Sequence, residues 1–465
     1  MAWTHPDHPG RRVRLGYCTN VLPVETLADL RQALTEVAVP LRERLHPEGI
    51  LGIGLHLPAS LAAYLAGPEG ASDLADFGEW LCASGFDPFT YNAFPFGGFH
   101  EDGLKENVYR PTWAEPERER YTLDVAQVAG ALIEACRGSQ CEGGPEGEPE
   151  GESEGESEGP PGHLSISTHP GTYGPWVTDR GVLKACADAM ARVVSRFSQQ
   201  EGVPPVVLSL EAEPFASAGN TRALAEFLVL ANLSAVRELK ALGHDASEAA
   251  ALAGRHLGVC LDACHSAVEF ENPAEAWSLS SGGGPSEEGT DGGVLRAPPR
   301  LGFTLGKIQF SSALALSAPA SDPEGRALLL GMDEPRYLHQ VRAQSPAGPL
   351  AESDLGGLAD TLAAEDSVAA AWLEAPEWRC HFHVPVDLES YGSLSTTRAH
   401  ADALLAEALT DPAAWPSGEL HVEVETYTWS VLPASGRPAG SLVDCLEREL
   451  RHVEALLRGA GWSSA

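Results

Sequence analysis

The chain has 465 residues, with 66 acidic against 31 basic side chains and a formal net charge of −35. That balance excludes the basic face a nucleic-acid binder needs and a patch for anionic lipid. No run approaches the roughly eighteen consecutive apolar residues of a membrane span, and the polar N-terminus lacks a signal-peptide apolar stretch.

In chain order, residues 13–20 read as a short strand ending in polar residues, followed by a helix over 26–45 with Leu27, Leu30, Leu34 and Val37 at helical spacing. Residues 50–57 make a second strand stopped by Pro58, and helices follow from Leu61 and over 74–84. A third strand, 88–96, leads into a long loop, 97–113, and a helix over 123–136. The Gly/Glu/Ser/Pro tract 138–162 cannot bury apolar surface and reads as a disordered insertion in a helix-to-strand connection. It carries eight glutamates and no basic residue between 142 and 158, so part of the acidic excess is local.

The same alternation then resumes. Residues 163–168 form strand four, with a helix over 183–199, and 205–210 form strand five, with a helix over 221–242. The apolar run 257–261 is strand six, and a second flexible Gly/Ser-rich insertion is expected over 278–299. Residues 307–311 are strand seven, with helical segments near 324–330 and 335–341, a further extended piece at 380–386, a last strand over 420–429 and a closing amphipathic helix over 441–459. Strands alternating with helices imply parallel βαβ units, and eight of them with a final helix predict one α/β domain over 1–465, a closed (β/α)8 TIM barrel with two low-complexity insertions. The ninth extended piece, at 380–386, is either a surplus segment between strands seven and eight or a sign of an open sheet. Nine scattered cysteines, with no C-x-x-C pair, argue against a disulfide framework or a zinc ribbon and point to a reducing cytoplasm.

A barrel of this kind carries its chemistry at the C-terminal ends of its strands. Polar residues recur there: Asn92, His169, Glu211, Glu213, Asp262, His265, Lys307, Gln309, His381, His383, Glu423 and Glu425. Residues two apart on a strand share a face, so Glu211 goes with Glu213, His381 with His383 and Glu423 with Glu425. Carboxylates converging on one point repel unless a cation or protons compensate, and oxygen ligands with one or two imidazoles suit Mn²⁺, Zn²⁺, Mg²⁺ or Fe²⁺. The pattern predicts a divalent-metal centre. Taken singly, each acid has a plainer reading: Asp262 as the N-cap of the next helix, Glu213 or Glu423 pointing outward or paired with an arginine. His56 reads as a core histidine and Cys264 as packing.

Asp262-Ala-Cys-His265 resembles the strand-six D-x-x-H element of xylose-isomerase-like barrels, which include sugar isomerases, epimerases and the endonuclease IV group. Several blocks are more specifically similar to the metabolite-traffic family EboE: LGYCTN (15–20), YNAFPFGGFH (91–100), KENVYRPTW (105–113), LEAEP (210–214), HFHVPV (381–386) and EVETYTW (423–429). Where sugar epimerases end strand seven with a histidine, this chain has Gln309 or Ser311, and His381 or His383 stands in.

The resemblance implies that Glu211, Asp262, Glu425 and a histidine, His383 or His381, hold one divalent metal. Glu213 or Glu423 would be the proton-transfer base, and His265 would orient Asp262 or touch substrate. Lys105, Tyr109, Arg110 and Trp113 would form a lid whose cations suit an anionic substrate, with Asn92, His100, His169, Lys307 and Gln309 also contacting it. The expected activity is isomerase- or epimerase-like, on a small sugar-like or decorated secondary metabolite in the cytoplasm, alongside partner proteins of the same operon at the membrane. The alternatives are a non-catalytic metabolite carrier and a phosphoesterase related to endonuclease IV.

Overall fold

The computed structural model describes residues 2–100, 102–141, 162–282, 303–433, 437 and 439–464. Eight parallel strands close on themselves: β1 (Arg12–Cys18), β2 (Leu51–His56), β3 (Phe86–Asn92), β4 (Leu164–Thr168), β5 (Val206–Glu211), β6 (Leu257–Asp262), β7 (Thr304–Phe310) and β8 (Glu419–Val424). Closure is made by β8, which pairs in parallel with both β7 and β1. Helices separate the strands, so the molecule is a (β/α)8 barrel.

Local sequence explains most helix starts. Thr26 with Asp29 and Ser441 with Asp444 form capping boxes, while Asp179, Asn220, Asp245 and Asn272 cap four more helices with side-chain oxygens. Period-two alternation sorts β8 cleanly. Leu420, Val422 and Val424 join the core between sheet and helices, and His421 and Glu423 point into the barrel.

The ninth extended piece belongs to a second sheet. Six antiparallel strands run in the order Gly348–Glu352, Val341–Ser345, Glu377–Val384, Ser312–Ser317, Leu394–Thr396 and Ser390–Tyr391. This sheet is inserted between β7 and β8, so the barrel itself is closed and not open. Pairing of Glu377–Val384 with Ser312–Ser317 slips between Cys380 and Val384, the stretch that carries His381 and His383.

One further expectation is corrected, and two features are added. Residues 335–341 form no helix: they are loop up to Val341, which opens a strand of the second sheet. A helix over Ala246–His256, not anticipated, precedes β6, started by the Asp245 cap. Cys82 and Cys136 form a disulfide between the helices Ala71–Ala83 and Pro116–Cys141. The low-complexity stretches lie mostly outside the described residues. At their near edges, Pro116–Cys141 runs into the first and Pro273–Ser280 into the second. No helix among the described residues is long and apolar enough to cross a membrane.

Candidate metal centre

Three carboxylates meet at the C-terminal mouth of the barrel. Glu211 ends β5, Asp262 ends β6 and Glu425 follows β8, each with an oxygen within 4.8 Å of the others. All three are buried, at 3%, 2% and 3% exposure. Glu425 is held by amides: Asn20 Nδ2 at 2.6 Å and Asn92 Nδ2 at 3.0 Å on one oxygen, and Gln309 Nε2 on the other. Asp262 divides its work. Its Oδ1 caps the helix Ala263–Val268 through His265 N at 2.8 Å and accepts from Ser311 Oγ at 2.8 Å. Its Oδ2, and Oε2 of Glu211, have no hydrogen-bond partner. The cap and the metal-ligand readings of Asp262 thus apply to different oxygens.

Three imidazoles face this acid cluster. His265 Nδ1 lies 2.9 Å from the Ala212 carbonyl, His383 Nδ1 3.2 Å from the Glu425 carbonyl, and His381 Nδ1 2.5 Å from Gln340 Oε1. These acceptors place a proton on Nδ1 of each ring, and where burial keeps the ring neutral, as at His381 and His383, Nε2 keeps a lone pair. Yet Nε2 of His265 lies 3.1 Å from Nε2 of His381 and 3.3 Å from that of His383. Nε2 of His383 is 3.8 Å from the partnerless Asp262 Oδ2. Two ligand atoms each about 2.1 Å from one ion also sit about this far apart.

Electrostatics agree. Burial, then repulsion from Glu425 and Asp262, pushes Glu211 well above the usual carboxylate range. Burial, then Asp262 and Glu423, raises Glu425 as well. His381 is held well below an ordinary imidazole by burial and by His265 and His383, and His383 is pushed down to about 4, chiefly by burial. The cluster therefore holds neutral imidazoles and carboxylates that resist ionising together. A divalent cation relieves both conditions. Three carboxylates with imidazole nitrogen suit Mn²⁺, Fe²⁺, Zn²⁺ or Mg²⁺. Cys264 lies near His381 and His383, and burial raises its thiol well above the usual range.

A cavity opens above the cluster. Of the residues singled out in the sequence, Asn92, Lys105, Glu211, Glu213, His265, His381, His383 and Glu425 line it, and Asp262 lies just beneath. Glu213 accepts from Tyr109 OH at 2.5 Å and Gln340 Nε2 at 3.0 Å, and burial raises its pKa.

The other candidates stand elsewhere. Glu423 is paired with Lys307 inside the barrel, both side chains fully buried one pleat repeat below Glu425. Gly54 makes room for it, since a Cβ there would fall 1.5 Å from Glu423 Oε1. Gln309 reaches the site only through Glu425, and Tyr109 only through Glu213. Trp113 is buried and donates its indole N–H to Thr168 Oγ1 at 3.2 Å, and His169 is buried against the Phe94 and Tyr109 rings. Arg110 lies over the Trp176 ring at 4.3 Å, and His100 bonds the Asn20 carbonyl at 2.8 Å. The lid expected of residues 105–113 is in large part packed structure.

Asn20, Gln340, Tyr337 and Tyr427 belong to the site and were not singled out beforehand. Asn20 follows β1, and the strand-end rule that found Glu211 applies to it equally. Gln340 and Tyr337 come from a loop of the inserted sheet, where no strand end marks them.

No family model matches the sequence, and no curated protein matches it. Among solved structures, the chain is similar to that of an L-ribulose 3-epimerase, at 12% identity over 96% of this chain and 95% of that one, with a TM-score of 0.42. The barrel assignment rests on the closed sheet itself.

Proposed function

We propose that this protein is a divalent-metal-dependent enzyme of the isomerase or epimerase kind, moving a proton at a carbon beside a hydroxyl or carbonyl group of a small sugar-like molecule. The observation that carries this reading is the pair of buried carboxylate oxygens without donors, Glu211 Oε2 and Asp262 Oδ2, beside three converging imidazoles. Glu211, Asp262, Glu425 and His383 would hold the ion, which supplies Lewis-acid polarisation of adjacent substrate oxygens.

The chain's own residues supply the rest. Glu213 lines the cavity with both oxygens anchored, which fixes a carboxylate where a proton-transfer base is needed, and burial raises its pKa. His265 and His381 line the cavity beside it, within reach of a substrate hydroxyl. Glu423 takes no part in this scheme, because Lys307 holds it away from the cavity. The placement of this activity in metabolite traffic rests on the resemblance of the sequence blocks to the EboE family alone.

The test has two stages. Dialysed protein is offered Mn²⁺, Zn²⁺, Mg²⁺ and Fe²⁺, and bound metal is measured by elemental analysis. Stoichiometric uptake is expected, lost in Glu211→Gln and Asp262→Asn. Loaded protein is then incubated with a panel of aldoses and ketoses in D₂O, and deuterium entry at carbon is followed by NMR. No stoichiometric uptake sinks the metalloenzyme reading; uptake without exchange, but with ligand binding, shifts the conclusion to a carrier.

A further inference from the structure

The polar and apolar residues of the cavity are segregated. The carboxylates and imidazoles come from strand ends and form its floor, whereas loops build its rim: Phe94, Phe99 and Leu104 after β3, Tyr337 and Leu338 from the inserted sheet, and Tyr427 after β8. Phe99, Tyr337 and Tyr427 form a three-ring cluster with centroids 5.0, 4.8 and 4.9 Å apart. The Tyr427 ring in turn lies 4.7 Å from that of His383, so apolar wall begins where the floor ends.

The rim's polar groups are already engaged. Tyr337 OH meets His100 Nδ1 at 3.1 Å, and Tyr427 OH meets His381 Nε2 at 3.3 Å. Lys105 is held by Asp354 at 2.6 Å and Asp333 at 3.4 Å, and Arg336 by Asp102 at 3.0 Å. A phosphate requires unpaired cations or free backbone donors, and a free sugar requires hydrogen-bonding groups along its whole length. Among the described residues, the side-chain cations of the rim are paired and its hydroxyls already bonded.

We infer that the substrate is an amphiphile: a hydroxylated head that reaches the acid–imidazole floor, joined to an uncharged aromatic or alkyl tail that lies on the rim. The head's role rests on the metal-dependent reading above; the tail's does not. This replaces the anionic substrate expected from Lys105 and Arg110 with a neutral one.

Hydroxamic acids test the tail without knowledge of the natural head group, because their paired oxygens bind divalent ions generally. Acetohydroxamate, octanohydroxamate and phosphonoacetohydroxamate are titrated into the metal-loaded full chain by calorimetry. Burying a methylene strengthens binding about fourfold, so octanohydroxamate is expected to bind at least about a hundredfold tighter than acetohydroxamate. Phosphonoacetohydroxamate is expected to gain nothing. Phe99→Ser and Leu338→Gln, made separately, should each reduce the octano-to-aceto ratio. A flat series, or tightest binding by the phosphonate, overturns the inference.

The same titration on metal-free protein separates the two readings. Acetohydroxamate binding that ignores metal counts against the metal floor, while the ratio still reports the tail. Should no hydroxamate bind, the neutral fluorophore N-phenyl-1-naphthylamine is titrated instead. Rim-dependent binding then supports the tail, and its absence overturns it.

Discussion

The two ends of this barrel both bury carboxylates beside imidazoles, and they resolve the resulting charge in opposite ways. At the N-terminal end, Glu419 and Asp87 share Arg14, which donates to Glu419 at 3.0 Å and to Asp87 at 2.6 Å. Glu419 also accepts from Gly162 N at 2.7 Å, and the neighbouring His163 and His421 rings stack 3.8 Å apart. At the mouth, Glu211, Glu213, Asp262 and Glu425 have no comparable cation, since Lys307 is committed to Glu423. A buried charge is tolerated when its partner is built into the chain and is costly otherwise. The bottom is therefore complete as folded, whereas on the proposed reading the mouth takes its cation from outside.

The largest expected effect tests the bottom. Arg14→Met leaves Glu419 buried without its cation and should cost about 3–5 kcal/mol in denaturant unfolding. Glu211→Gln in metal-free protein should do the reverse and raise the unfolding midpoint, because it removes a repelled acid. A loss of stability comparable to that of Arg14→Met would show that the mouth is internally paired after all.

Glu449 extends the contrast to pH. It is buried with donors but no cation: Thr426 Oγ1 at 2.6 Å, Tyr17 OH at 3.1 Å and Val386 N at 3.2 Å, with Asp387 as a nearby like charge. Burial pushes it up from 4.5 to about 7. A raised folded pKa means that the unfolded chain releases its proton first. Stability from this group is full below about pH 4.5, falls as pH rises and levels off above about 7, a span on the order of 3 kcal/mol. Glu419 has the opposite sign. Burial opposes its charge, but His421 and Arg14 outweigh it and hold the carboxyl well below the usual range. Its contribution is present above the unfolded pKa and is lost as pH falls through the folded value. Denaturation curves for Glu449→Gln should lose the neutral-side decline; an unchanged profile would break the assignment.

Metal should act on one end only. At a hundredfold excess over Kd, added Mn²⁺ or Zn²⁺ is expected to stabilise the wild type by about 2.7 kcal/mol in thermal unfolding, and Asp262→Asn should abolish the shift. The smallest expected effect is none: His421→Gln, at the bottom, should leave the bound-metal stoichiometry unchanged by elemental analysis. A fall would mean that His163, Glu419 and His421 hold an ion despite the guanidinium beside them.

What the sequence determines by itself here is local. Apolar runs of strand length, caps such as Asp179 and Asn220, and acids placed at run ends make the alternating barrel and its polar mouth readable, because strand period and cap chemistry act over a few neighbouring residues. Glu211, Asp262 and Glu425 were legible on that basis. Depth and pairing were not. Glu423 and Glu425 share a face, but only the packed barrel sets the lower one against Lys307 and the upper one against Asn20, Asn92 and Gln309. Trp113 and Tyr109 read as a lid because loop position says nothing about what lies behind the side chain. The contribution of the inserted sheet, which brings His381, His383 and Gln340 to a barrel they do not belong to, depends on contacts across more than a hundred residues of chain. Whether a buried carboxylate is paired or waiting for a cation is a property of everything around it, and only the tertiary structure decides that.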